Sequence, residues 1–211
     1  MLDQRHAKLP SNSTPATTLV ILAGGKATRM NGVNKLLQRF DHEVQLLKIY
    51  SAFDGKVQDI WINSHRDYAQ YSELIPDIRC FKDNNAGFLG PLIGMQTAWS
   101  YVRADYILFI PCDITNIPQD ILPRLHHTLE QHPHSSVVYL NINGQALYPF
   151  CLLKRNSLET LNKHLHQQQF SLKHCFNDLS PQTVDIQNAH LAYHSLNSFE
   201  EVHDYQKSLD S

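Results

Sequence analysis

The chain has 211 residues, 20 of them acidic and 18 basic, for a formal net charge of −2. No global basic field exists to hold nucleic acid, so any anion must be bound locally. No apolar stretch approaches the roughly 20 residues that cross a bilayer. The four cysteines, Cys80, Cys112, Cys151 and Cys175, include no CxxC pair, which argues against a thiolate zinc site and for reduced thiols.

In chain order, "MLDQRHAKLPSNSTPAT" is polar, carries two prolines and lacks the apolar centre of a signal sequence. Residues 1–16 read as a flexible N-terminal tail and 17–211 as a single domain in a cytoplasmic protein. "TLVILAG" reads as a buried strand ending at Gly24. "EVQLLKIYSAF" sets Val44, Leu47, Ile49 and Phe53 near helical spacing. "VQDIWINS" and "IRCFKD" are further strands, with a short polar helix or loop, "RDYAQYSEL", between them. "PLIGMQTAWSYV" opens with a proline suited to a helix start. "DYILFIPCD" is apolar on both faces, as a central parallel strand is. "IPQDILPRLHHTLEQH" follows as a helix, with Pro123 early enough to be tolerated.

The second half changes character. "SSVVYLNINGQALYPFCLLK" is two β-rich runs joined through Asn143-Gly144, a strong hairpin signal. "NSLETLNKHLH" reads as a helix with Asn156 and Glu159 in a variant of capping-box spacing, "TVDIQ" as a strand, and "SFEEVHDYQKSL" as a closing helix capped by Ser198 and Glu201. The clusters "LHHTLEQHPH" and "KHLHQQQ" lack two histidines one turn apart in the first cluster and read as surface residues of polar helices. The aromatics Tyr68, Tyr71 and Phe81 read as packing against the sheet.

This order predicts an α/β three-layer, Rossmann-like fold with a mostly parallel central sheet and a β-hairpin insertion in the second half. Such sheets bind ligands at the carboxyl ends of their strands. Gly24, Asn63, Asp83 and Asp113 each fall at or just past one predicted end. In "LVILAGGKATRMNGVNKLL", Gly24 and Gly25 let the chain turn sharply and let a ligand reach backbone amides. Arg29 and Lys35 add positive charge, a combination suited to a polyphosphate. The loop is neither a Walker loop, since Ala27 follows Lys26, nor GxGxxG.

"LAGGKATRMNGVNK" resembles the signature loop of the nucleotidyltransferase superfamily, which has a GT-A-like fold. Together with "GPLIGM" at Gly90 to Met95, "PCDITNIP" from Pro111 and the late "LNSFEE", it makes the chain similar to the molybdenum cofactor guanylyltransferases from Thr18 to about Gln206. The resemblance implies transfer of GMP from GTP to the terminal phosphate of molybdopterin, with pyrophosphate leaving and Mg2+ required. It implies nucleotide binding by Leu22, Ala23, Gly24, Gly25, Lys35, Asn63, Asp83 and Asp113, with Asp113 on the metal and Arg29, Lys35 and Asp113 as the catalytic set. The implied partners are GTP, molybdopterin and other cofactor-maturation proteins, with a monomer expected. Alternatives are a cytidylyltransferase, a sugar- or isoprenoid-phosphate nucleotidyltransferase, and a non-catalytic nucleotide-binding accessory protein.

The sequence departs from the family pattern at several positions. Asn34 stands where aspartate is usual, Tyr148-Pro149-Phe150 where His-Pro-Thr is frequent, and Ser195 where an asparagine is common; a basic pair is absent from "HQQQFSLKH". The nucleotide half therefore follows the family more closely than the acceptor half. Because Asn34 still accepts a hydrogen bond through its carbonyl, Asn34→Asp is expected to change turnover only severalfold.

Overall fold

The structure, a computed structural model, describes residues 15–25, 32–84, 90–115, 117–187, 196 and 199–209. Strand β1 (Thr17–Leu22) is buried along its whole length. It lies between two parallel neighbours, β4 (Asp59–Asn63) and β6 (Tyr106–Pro111). The short β5 (Arg79–Phe81) pairs parallel to β4 at one edge. On the other side β6 meets β8 (Gln145–Lys154), then come β7 (Val137–Ile142) and β9 (Gln182–Ile186), giving the order β5-β4-β1-β6-β8-β7-β9. Strand β8 runs antiparallel to both its neighbours and β9 runs parallel to β7, so β8 alone is reversed.

Alternation along the strands explains the layers. Leu19 and Ile21 point to one face and pack with α1 (Gln45–Phe53), α2 (Tyr68–Leu74) and α4 (Ile121–Gln131). Val20 and Leu22 point to the other and pack with α3 (Pro91–Tyr101), α5 (Leu158–His166) and α6 (Leu172–Asn177). Helix α3 starts on Pro91, as expected, after Gly90 at φ 89°. Helix α7 (Phe199–Leu209) closes the chain.

The hairpin turns at Asn143 (φ 50°) and Gly144 (φ 81°), the two left-handed residues that a tight two-residue turn demands. It is an insertion within the sheet, since its second strand threads between β6 and its own partner. Where Tyr139 pairs with Cys151 and Leu140 with Leu147, the segment Tyr148-Pro149-Phe150 bulges out of register.

Four readings need correction or completion. Helix α1 buries Gln45, Leu46, Ile49 and Phe53, leaving Leu47 half-buried, so its inner face is turned from the one expected. Helix α5 follows a 3-10 turn, Arg155–Ser157, and no side chain caps it, so Asn156 and Glu159 form no capping box. A two-stranded ribbon, β2 (Arg39–Asp41) with β3 (Glu43–Val44), precedes α1 and was not anticipated. His126 and His164 are buried rather than superficial. The predicted cap Ser198 lies outside the described residues.

Candidate active site

Register alone assembles the site. Phe81 pairs with Asn63, Asn63 with Leu22, and Leu22 with Pro111, so four parallel strands end on one row. Beyond that row the Ala23 amide donates to the Asn63 carbonyl (2.8 Å) and the Cys112 amide to the Leu22 carbonyl (3.2 Å). Leu22, Ala23, Gly24, Gly25, Asn63, Asp83 and Asp113 therefore share the carboxyl edge of the sheet. Arg29 lies outside the described residues.

Asn63 is 3% exposed, and alternation turns its side chain toward α3 while Ile62 enters the opposite core. It fits there because α3 has a glycine. A Cβ on Gly94 would stand 2.4 Å from Asn63 Oδ1, and one on Gly24 would stand 3.1 Å from the same oxygen. The Asn63 amide donates to Asp83 Oδ1 (2.8 Å), and the second Asp83 oxygen lies 3.0 Å from His65 Nε2. The carboxylate of Asp83 thus fixes the Asn63 amide from below and is itself held by His65. Gly94 and His65 were missed as contributors. The signal for Gly94 was a glycine inside a helical pattern, which costs stability and needs a packing reason.

Lys35 begins a 3-10 turn, Lys35–Leu37, that Asn34 caps by accepting the Leu36 amide at 3.1 Å. Its ammonium reaches across the edge and donates to Asp113 Oδ2 at 2.8 Å. Both side chains are largely covered, 13% and 15% exposed, so the pair is partly shielded from water and screened less than a surface ion pair.

The loop carrying Asp113 is pinned at three consecutive carbonyls. Asp113 O accepts from the Leu196 amide (3.1 Å), Ile114 O from Gln45 Nε2 (2.6 Å), and Thr115 O from Lys48 Nζ (2.7 Å). These bonds hold the loop that presents the Asp113 carboxylate, an oxygen group of the kind Mg2+ takes. Among the described residues no three His, Cys, Asp or Glu side chains gather as a metal-binding group. One carboxylate nevertheless fits Mg2+, which usually keeps waters and takes substrate phosphates as its other ligands. Burial pushes the neighbouring Cys112 thiol up to about 12, with the Asp113 charge adding to the effect. It stays a neutral thiol and is no nucleophile.

A mostly parallel sheet, a glycine turn at the end of its central strand and a lysine–aspartate pair on the same edge are the arrangement expected of a nucleotidyltransferase. The match to known proteins is consistent. Residues 19–182 fit the family model described as the MobA-like NTP transferase domain. A molybdenum cofactor guanylyltransferase from Acinetobacter baumannii (strain ACICU) is 54% identical over 193 residues, covering 92% of each chain. Among solved structures, molybdopterin-guanine dinucleotide biosynthesis protein A from Archaeoglobus fulgidus superposes with a TM-score of 0.67 at 12% identity, covering 92% of this chain and 98% of that one. A CMP:2-keto-3-deoxy-manno-octonic acid synthetase with CTP superposes with a TM-score of 0.68, also at 12% identity and with the same coverage; these two likenesses concern the fold. The chain belongs to the MobA-like NTP transferase family, within its molybdenum cofactor guanylyltransferases.

Proposed function

We propose that this chain transfers GMP from GTP to the terminal phosphate of molybdopterin. The observation that carries the reading is 54% identity across 92% of both chains with a molybdenum cofactor guanylyltransferase. The lysine–aspartate pair on the sheet edge agrees with it.

The reaction needs alignment and charge neutralisation rather than a covalent intermediate. A terminal phosphate oxygen of the acceptor attacks the α-phosphorus of GTP. The bond from that phosphorus to the β-bridging oxygen breaks, pyrophosphate leaves, and a new phosphoanhydride joins GMP to the pterin. Gly24 and Gly25 let backbone amides approach the nucleotide. Asn63 and Asp83 bind its base and ribose, and the Lys35 ammonium with Arg29 offsets charge on the α-phosphate and the departing pyrophosphate. Asp113 would hold Mg2+, which when bound supplies further positive charge at those oxygens.

The chain acts as a monomer in the cytoplasm, in contact with other cofactor-maturation proteins. All four cysteines are free thiols, which suits a reducing compartment. Among the described residues no helix is long and apolar enough to cross a membrane.

The test is incubation with labelled GTP, Mg2+ and molybdopterin. Labelled GMP on the pterin is the expected result. Transfer only from CTP, or only to another phosphate, replaces the substrate assignment; nucleotide binding without turnover replaces it with an accessory role.

A further inference from the structure

We infer that Asp67 is a positioning residue for Lys35 and acts through Asn34; the inference rests on the reading of Lys35 as a phosphate-side group. Every polar atom of the Asn34 side chain is committed. Its Oδ1 accepts from the Leu36 amide (3.1 Å), while its Nδ2 donates to Asp67 Oδ2 (2.6 Å) and to the Tyr71 hydroxyl (2.8 Å). The Leu36 amide only donates and an ionised Asp67 only accepts, so the amide has one orientation. Its amide nitrogen faces the start of α2, where Asp67 and Tyr71 stand.

Tyr71 is completely buried, and burial raises its phenol, so the hydroxyl keeps its proton. With the Asn34 bond accepted, that proton points to Ser64 Oγ at 3.2 Å, and Ser64 donates in turn to the Arg66 carbonyl at 3.1 Å. The donors run in one direction from the turn to the end of β4. Lys35 is thus fixed at both ends: its turn is anchored on Asp67 and Tyr71, and its ammonium on Asp113.

Two features of Asp67 itself point the same way. It stands at the N-terminus of α2 without capping it, although a helix N-terminus is where an aspartate ordinarily bonds a free amide. It also holds a left-handed backbone (φ 64°), an uncommon conformation for a residue other than glycine. Its carboxylate is directed instead to Asn34 and to Arg66 Nε (3.3 Å). The carboxylate is thus committed to Asn34 and Arg66 rather than to the amides of α2.

The consequence is an interdependence of charge. An aspartate at position 34 would bring two carboxylates to the 2.6 Å contact with no proton between them, and it would lose the donor that Tyr71 accepts. The turn would have to move, and Lys35 with it. Exchanging both residues keeps one carboxylate and one amide in the contact, the Tyr71 hydroxyl can turn its proton from Ser64 to the new carboxylate, and asparagine tolerates the left-handed backbone at 67. This reverses the sequence-based expectation that Asn34→Asp is mild.

The experiment compares Asn34→Asp, Asp67→Asn, the double exchange and Lys35→Ala for GTP turnover, nucleotide-binding stoichiometry and Tm. Asn34→Asp should lower kcat by at least about tenfold with stoichiometry unchanged, Asp67→Asn by only a few fold because two amides still bond, and the double exchange should return to within about threefold of the parent. Recovery in the double variant is the readout a purely structural role would not give. Parent-like turnover in Asn34→Asp, or a double variant as slow as Asn34→Asp, overturns the inference while a slow Lys35→Ala leaves the site reading standing. Normal turnover in Lys35→Ala overturns both.

Discussion

Asp113 and Lys35 lie 2.8 Å apart with most of their surface covered, so removing the ammonium takes a close countercharge from a largely covered carboxylate. Asp113→Asn keeps size and removes charge, and should abolish most Mg2+-dependent turnover. Lys35→Ala should lower turnover by roughly a hundredfold if the ammonium meets charge that develops in the transition state. Lys26→Ala is the tolerant control: equal losses at 26 and 35 in the same assay would mean that the loop attracts phosphate by charge alone. Gly94 makes a separate prediction. Alanine there gains up to about 1 kcal/mol of helix propensity, yet its Cβ would collide with Asn63 Oδ1, and that side chain is pinned by Asp83. The Tm of Gly94→Ala should therefore change little, while equilibrium titration shows GTP affinity lower by roughly tenfold. Gly24→Ala, with its longer 3.1 Å approach, should lose less.

At the scale of elements, the contact between α4 and β1 carries an acid sensitivity. His126 is 4% exposed, its ring lies 2.8 Å from Thr17 Oγ1, and it packs edge-on against Tyr106. The Thr17 hydroxyl donates to the Pro15 carbonyl, so Nε2 carries the imidazole proton and donates to Thr17. Burial lowers His126 from 6.5 to about 4. Between those values the unfolded chain binds a proton that the folded one refuses, so stability falls as pH drops from about 6.5 and levels off near 4. The loss amounts to as much as about 3 kcal/mol. Urea unfolding at pH 7 and pH 4.5 checks this, and His126→Gln should flatten the difference. The buried place of His126 was readable: Leu122 and Leu129 stand one helical turn to either side of it, on the apolar face. The strands were legible because each apolar run stops at a turn residue, and the hairpin because Asn143-Gly144 supplies the two left-handed residues. The threading of β8 between β6 and β7 was not, since hydrophobic alternation records a face and never a neighbour. The β2–β3 ribbon is too short to carry a period. The shared edge of Gly24, Asn63, Asp83 and Asp113 was legible from chain order; Gly94 left only the signal of a glycine inside a helical pattern, and His65 and Asp67 left none, because each acts on a partner far along the chain.

For the whole molecule, we propose that residues 17–211 form one functional unit to which the preceding segment adds little. Because Thr17 bonds the Pro15 carbonyl, the informative truncation removes residues 1–14 and keeps Pro15. It should leave unfolding free energy within about 0.5 kcal/mol and turnover unchanged; a loss of several kcal/mol or of activity in the truncated protein would show that the segment docks on the domain.

The order of strands also bears on how the chain acquires its shape during synthesis. Strand β1 leaves the ribosome first, yet its partners β4 and β6 are made later and from distant stretches. Such non-local pairing is slow. Once β6 has joined, its outer edge from Tyr106 to Phe109 waits for the reversed strand β8. A nascent chain halted between the two would hold its nucleotide-side strands together while presenting an uncovered, apolar strand edge, the kind of surface that seeds aggregation. The antiparallel strand that looks like an irregularity of the finished sheet is thus the piece that withdraws the β6 edge from the chain's own copies.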